Sequence, residues 1–117
     1  MKNRDACSLA RKAVEYAQTK KALDIKLMDL REVTSVADFF VICHGESDVQ
    51  VRAISEAVLE GLRKEGARVW HREGMDFCRW VLLDYVDVVV HVFLEETRDF
   101  YCLEKLWGDA KVQQFSD

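Results

Sequence analysis

Proline is absent from this 117-residue chain and glycine occurs only five times. So few breakers leave no room for a flexible linker, and neither an internal repeat nor a low-complexity tract is present. Residues 1–117 therefore read as one ordered domain, which excludes a two-domain enzyme. Long apolar runs are missing too. Even the stretch from Trp80 to Phe93 is broken by Asp84, Asp87 and His91, so nothing approaches the roughly 18 apolar residues that cross a bilayer. No apolar signal core follows Lys2 and Arg4, so a soluble protein in the cytoplasm is expected. Cys7, Cys43, Cys78 and Cys102 stand far apart without a Cys-x-x-Cys pair. That spacing indicates neither a zinc ribbon nor a thioredoxin-like site and predicts buried thiols in a reducing compartment. A positive excess is lacking as well: 17 basic against 21 acidic side chains give −4, which argues against a surface that grips nucleic-acid phosphates throughout.

What is present is clear periodicity. Leu9, Ala10, Ala13, Val14 and Ala17 recur at helical spacing between Asp5 and about Thr19. Asp24 to Leu30 begins with strand-like alternation, and Ala37 to Cys43 is apolar enough to be buried on both faces. Ser47 and Gln50 form a capping-box pattern for a long helix with Val51, Ile54, Val58 and Leu62 as its core stripe and Gly66 as its stop. A short segment from Ala67 to His71 leads to strands at Trp80–Asp84 and Asp87–Phe93, close enough to be a hairpin. A last helix is predicted over Glu95 to about Gly108, with Phe100, Leu103 and Leu106 or Trp107 in register. The order implies an α/β domain with a mixed sheet of about five strands, in which strands joined across the long helix can run parallel.

Catalytic motifs are not supported. Gly45-x-Ser47 at a helix start invites phosphate binding or the Gly-Ser of a nucleotidyltransferase, but Asp48, Asp84 and Asp87 are not grouped as metal-holding carboxylates on a neighbouring strand. A strand end followed by an N-cap accounts for the same residues. His44, His71 and His91 are isolated, with no metal-ligand spacing, and His91 sits among valines as a core or interface histidine. The expectation is no catalytic residue, no metal and no cofactor.

The hairpin is more informative. Of the 14 residues from Trp80 to Phe93, 11 are apolar, so both faces should be dry. Three helices do not easily cover both faces of such a sheet, which leaves two readings: ordinary core, or an exposed docking patch. Residues 1–26 carry +4, whereas Glu73–Glu104 holds eight carboxylates against Arg79 and Arg98, a local −6. An acidic rim about an aromatic centre suits a basic protein better than RNA. The plainer reading is that these charges keep a small domain soluble.

Several segments in order resemble the Iojap-like ribosomal silencing factor family: Ser35-Val-Ala-Asp-Phe-Phe-Val-Ile, Gly45-x-Ser47 with Gln50-Val51, Glu73-Gly74, Trp80-Val-Leu-Leu-Asp-Tyr, Asp87-Val-Val-Val-His-Val-Phe, and Phe100-Tyr-x-Leu-Glu-x-Leu-Trp-x-Asp-Ala110. The likeness runs from about Leu9 to Ala110. It implies a non-enzymatic translation repressor that binds ribosomal protein L-fourteen of the large subunit and blocks joining of the small subunit. It also implies a nucleotidyltransferase-like fold without catalytic carboxylates, a tendency to homodimerise, and little direct RNA contact. By position, the partner-facing residues implied are Trp80, Leu82 and Asp84, with Glu73, Gly74, Tyr85 and Asp87 near them. Trp80 is expected as the aromatic anchor and Asp84 as the carboxylate for a basic side chain. The alternative function is a nucleotide-binding or nucleotidyltransferase-type enzyme using the Gly45-x-Ser47 helix start.

Three positions depart from the family pattern. Val86 stands where glycine is usual between Asp-Tyr and Asp, so the turn either avoids positive φ or carries about 1 to 3 kcal/mol of strain. His44 replaces a small residue, and Cys78 stands where glycine is common before the tryptophan.

Overall fold

Two amphipathic helices and one sheet account for most of the buried apolar surface. The computed structural model describes residues 5–115; Lys2 and Arg4 lie outside them. The elements are α1 (Ala6–Gln18), β1 (Leu23–Asp29), β2 (Phe39–Gly45), α2 (Asp48–Lys64), β3 (His71–Glu73), β4 (Trp80–Asp84), β5 (Val88–Leu94), α3 (Glu95–Tyr101), a 3-10 turn (Leu103–Trp107) and β6 (Lys111–Phe115). The sheet order is β3-β4-β5-β2-β1-β6. Among the described residues only β2 and β5 pair in parallel; the other neighbours are antiparallel.

The stripes of α1 and α2 lie against one face of the sheet, over Ile25, Leu27, Val41, Val81, Leu83, Val90 and Val92. Gly61 lets the two helices approach, since a Cβ there would sit 2.3 Å from the Tyr16 ring. The opposite face carries Met28, Phe40, Ile42, Val89 and Phe93, covered in part by Leu103 and Trp107. Phe40 and Trp107 meet edge-to-face at 5.1 Å. The core stripes of α1 and α2 follow from periodicity alone.

The sheet has six strands rather than about five. The extra one, β6, is a polar Lys-Val-Gln-Gln-Phe edge strand, held by its ladder to β1 rather than by burial. The long C-terminal helix expected over Glu95–Gly108 is broken: Cys102 takes φ +48 and ends α3 at Tyr101. In consequence Phe100 and Leu106 are 80% and 68% exposed, not core residues, while Arg98 is buried. The short Ala67–His71 segment joins the sheet only at His71, where β3 begins. Of the cysteines, Cys43 and Cys78 are buried, but Cys7 and Cys102 are half-buried because each sits near the end of a helix rather than in the sheet.

Candidate functional site

Period-two alternation divides β4 between two environments. Val81 and Leu83 point under the helices and are fully buried; Trp80, Leu82 and Asp84 point to the opposite face and are half-buried. Ladder register extends this second face across the sheet. Glu73, Leu82 and His91 form one row, and His71, Asp84 and Val89 the next. The C-terminal segment covers the β1–β2 half of the face around Phe40, leaving the β3–β4 half more open.

Trp80 is held firmly. Its Nε1–H donates to Nδ1 of His91 at 3.1 Å, and its ring lies 4.8 Å from Phe93 and 5.1 Å from Tyr101. His91 is 3% exposed, and burial pushes its pKa down to about 3, so it is neutral and can accept this bond at physiological pH. Its Nε2 then carries the proton and is buried without a partner among the described residues. The result is a fixed aromatic wall with the acidic end of the hairpin beside it.

The other implied residues are placed differently. The Asp84 Oδ1 accepts the Val86 N–H at 2.8 Å, so one carboxylate oxygen closes the turn. Val86 has φ +75, and the Tyr85 carbonyl accepts the Asp87 N–H across it, so the turn is the strained alternative. Asp87 is exposed on that turn. Glu73 is exposed on the edge and holds His71 Nε2 at 2.6 Å. Gly74 (φ +89) is required by close approach, because a Cβ would lie 2.0 Å from the Trp80 carbonyl oxygen. Tyr85 is not on this face at all: it is 8% exposed beneath the helices, with a hydroxyl that burial pushes up to about 12. Sequence reasoning missed Tyr101, which widens the aromatic wall. Its only signal was its place beside Phe100, the residue that helical periodicity assigned to the core stripe.

A family model described as ribosomal silencing factor during starvation matches residues 3–117. The chain belongs to this family. It is similar to the ribosomal silencing factor of Bacillus subtilis, with 47% identity over 105 residues, covering 90% of this chain and 89% of that one. It is also similar to the chloroplastic Iojap protein of Zea mays, 37% identical over 105 residues, or 90% of this chain and 44% of the relative. Among solved structures, a Chromobacterium violaceum protein superposes with a TM-score of 0.87 at 34% identity, covering 90% of this chain and 88% of that chain. The Iojap-like resemblance and the single α/β sheet domain are thereby established.

Within this silencing-factor domain the Gly45-x-Ser47 start is taken up by its own cap. Ser47 Oγ accepts the Gln50 N–H at 3.1 Å, the first half of a capping box, while Gln50 Oε1 reaches past the cap to accept the Glu46 N–H at 2.8 Å. The neighbouring His44 is a structural acceptor. Arg98, 4% exposed, donates to His44 Nδ1 at 2.9 Å, to the Asp24 carbonyl at 2.8 Å and to Glu104 Oε2 at 3.1 and 3.3 Å. Burial raises the Glu104 carboxyl, but its own backbone N–H, Arg98 and Lys26 outweigh that and hold it below its ordinary range. Glu104 therefore belongs to an internal clamp and does not contribute to the acidic rim. Cys78 takes φ +54, a left-handed conformation that favours glycine.

Proposed function

We propose that the chain silences ribosomes without chemistry, by docking on the large subunit and obstructing its joining to the small subunit. The contact is made to ribosomal protein L-fourteen through the open half of the sheet face. What supports this is family membership together with one observation: half-buried Trp80, Leu82 and Asp84 share a sheet face with exposed Glu73, so that an immobilised indole adjoins carboxylates. An aromatic anchor held in one rotamer loses little entropy on binding, and its acidic neighbours favour a basic protein over the RNA around it. Tyr85 has no place in this interface, and Gly74 contributes by letting the edge strand approach.

Capture of isolated large subunits tests the docking step. Trp80→Ala and Leu82→Arg should each weaken capture by about 30-fold or more, the effect of removing or opposing a central anchor worth about 2 kcal/mol. Far-ultraviolet circular dichroism checks that both variants fold. Folded variants that bind like wild type would remove this face from the interface. A light-scattering assay of subunit joining tests the rest: undiminished joining at saturating protein would reject the steric mechanism.

A further inference from the structure

Summed over long stretches, the charge hides a local reversal. Residues 63–72 carry Arg63, Lys64, Arg68 and Arg72 against Glu65 alone, a balance of +3 inside a chain of −4. Glu65 is engaged elsewhere, accepting the Tyr16 hydroxyl at 2.8 Å. Arg68, Trp70 and Arg72 alternate along the approach to β3, and with Arg63 of α2 they line a groove of about 830 Å3. Trp70 is 71% exposed, while its backbone N–H is anchored to the Asp84 carbonyl at 2.8 Å. Ladder register puts Arg72 opposite Leu83, on the α2 side of the sheet, away from the Trp80 face. Two carboxylates also line the groove: Glu60, which holds Arg63 at 2.6 Å, and Glu56. Arg68 and Arg72 have no ion pair with a described residue.

We propose that this groove binds single-stranded RNA, with an unstacked base on the Trp70 indole and the adjoining phosphates on Arg68 and Arg72. A large exposed aromatic on a backbone-anchored segment beside the edge strand offers a stacking platform, and unpaired guanidiniums two residues to either side match the backbone charge of an RNA strand crossing it. The cavity is of the size that takes a nucleotide. An acidic peptide would satisfy the arginines but would leave the indole without a role. This second contact, of opposite charge and on the other side of the sheet, adds to the ribosome-docking reading and replaces the expectation of little RNA contact.

The test is fluorescence anisotropy of a labelled oligoadenylate RNA with the full chain across a salt series. Wild type should bind, and Trp70→Ala should weaken binding by at least about five-fold. The Arg68→Ala/Arg72→Ala pair should flatten the log affinity against log salt slope by about 1.4, or about 0.7 for each phosphate that is no longer neutralised. Absence of binding at low salt, equal binding by Trp70→Ala, or equally tight binding of a polyglutamate peptide would overturn the assignment. Leu82→Arg separates the two surfaces: it should keep oligoadenylate affinity while losing capture of large subunits. If wild type captures large subunits but does not bind the RNA, this inference fails and the docking reading stands.

Discussion

The turn between β4 and β5 stores energy that a single substitution should release. Val86 sits at φ +75, where a β-branched side chain is an outlier, and its side chain is 58% exposed, so it gains little from burial. Backbone strain of this kind costs about 1 to 3 kcal/mol. Glycine at the same site adopts positive φ freely but adds up to about 1 kcal/mol of unfolded-chain entropy. The bond to the Asp84 carboxylate uses only the backbone N–H of residue 86 and survives the change. Val86→Gly is therefore expected to stabilise the fold by about 0.5 to 2 kcal/mol. In urea this reads as a higher midpoint at unchanged slope. Val86→Ala is the control: it removes the branch but keeps a Cβ, so it should recover only part of the gain. A Val86→Gly protein no more stable than wild type would refute the strain argument. So would a Val86→Ala protein as stable as Val86→Gly, since side-chain branching would then be the whole cost.

Other consequences are equally measurable. His91, held neutral by burial with a pKa of about 3 against an ordinary 6.5, favours the folded state above the unfolded-state value. That stability is lost as pH falls from about 6.5 towards 3, at up to about 1.4 kcal/mol per pH unit; His91→Gln, which keeps an acceptor for Trp80, should flatten this limb in denaturation series. Arg98→Ala removes the donor shared by Glu104, His44 and the Asp24 carbonyl while Lys26 still pairs Glu104, and should cost about 1 to 3 kcal/mol, whereas Arg98→Met with Glu104→Gln should recover part of it in the same melts. Glu104 adds a second acid limb, because its depressed carboxyl stabilises the fold above about 4.5 and loses this contribution as pH falls further. Gly74→Ala forces a Cβ against the Trp80 carbonyl at positive φ, and should cost at least about 2 kcal/mol with faster amide exchange in β3.

The elements with strong apolar periodicity were legible in the sequence: α1, α2, β2, β4 and β5 lie within a few residues of where spacing puts them, and Ser47 caps α2 as its pattern predicts, although Gln50 bonds Glu46 rather than closing the box on Ser47. The strand β6 was not legible because Lys111 to Gln114 are exposed, and its signal is the partner ladder rather than its own composition. The break at Cys102 was hidden for a related reason: no glycine or proline marks it, and the buried Arg98 clamp decides which side of α3 faces inward. At the site, alternation correctly grouped Trp80, Leu82 and Asp84, but position in a motif could not tell that Tyr85 turns under the helices. Trp70 escaped notice because an overall negative sum obscured the ten basic-rich residues around it.

The single parallel pairing, β2 with β5, also sets an order of assembly. β2 lies mid-sheet, yet one of its two neighbours is made only after α2, β3 and β4 have been synthesised. Until Val88–Leu94 emerges, the apolar stripes of α1 and α2 have only half a sheet to cover, and Phe39–Gly45 presents an unpaired β-rich edge. Closing so long a loop slows folding and prolongs that exposure. A chain stalled or truncated before β5 is therefore expected to aggregate or recruit chaperones, whereas one truncated just before β6 lacks only a polar edge strand. The vulnerable interval in this molecule's life is thus its own synthesis.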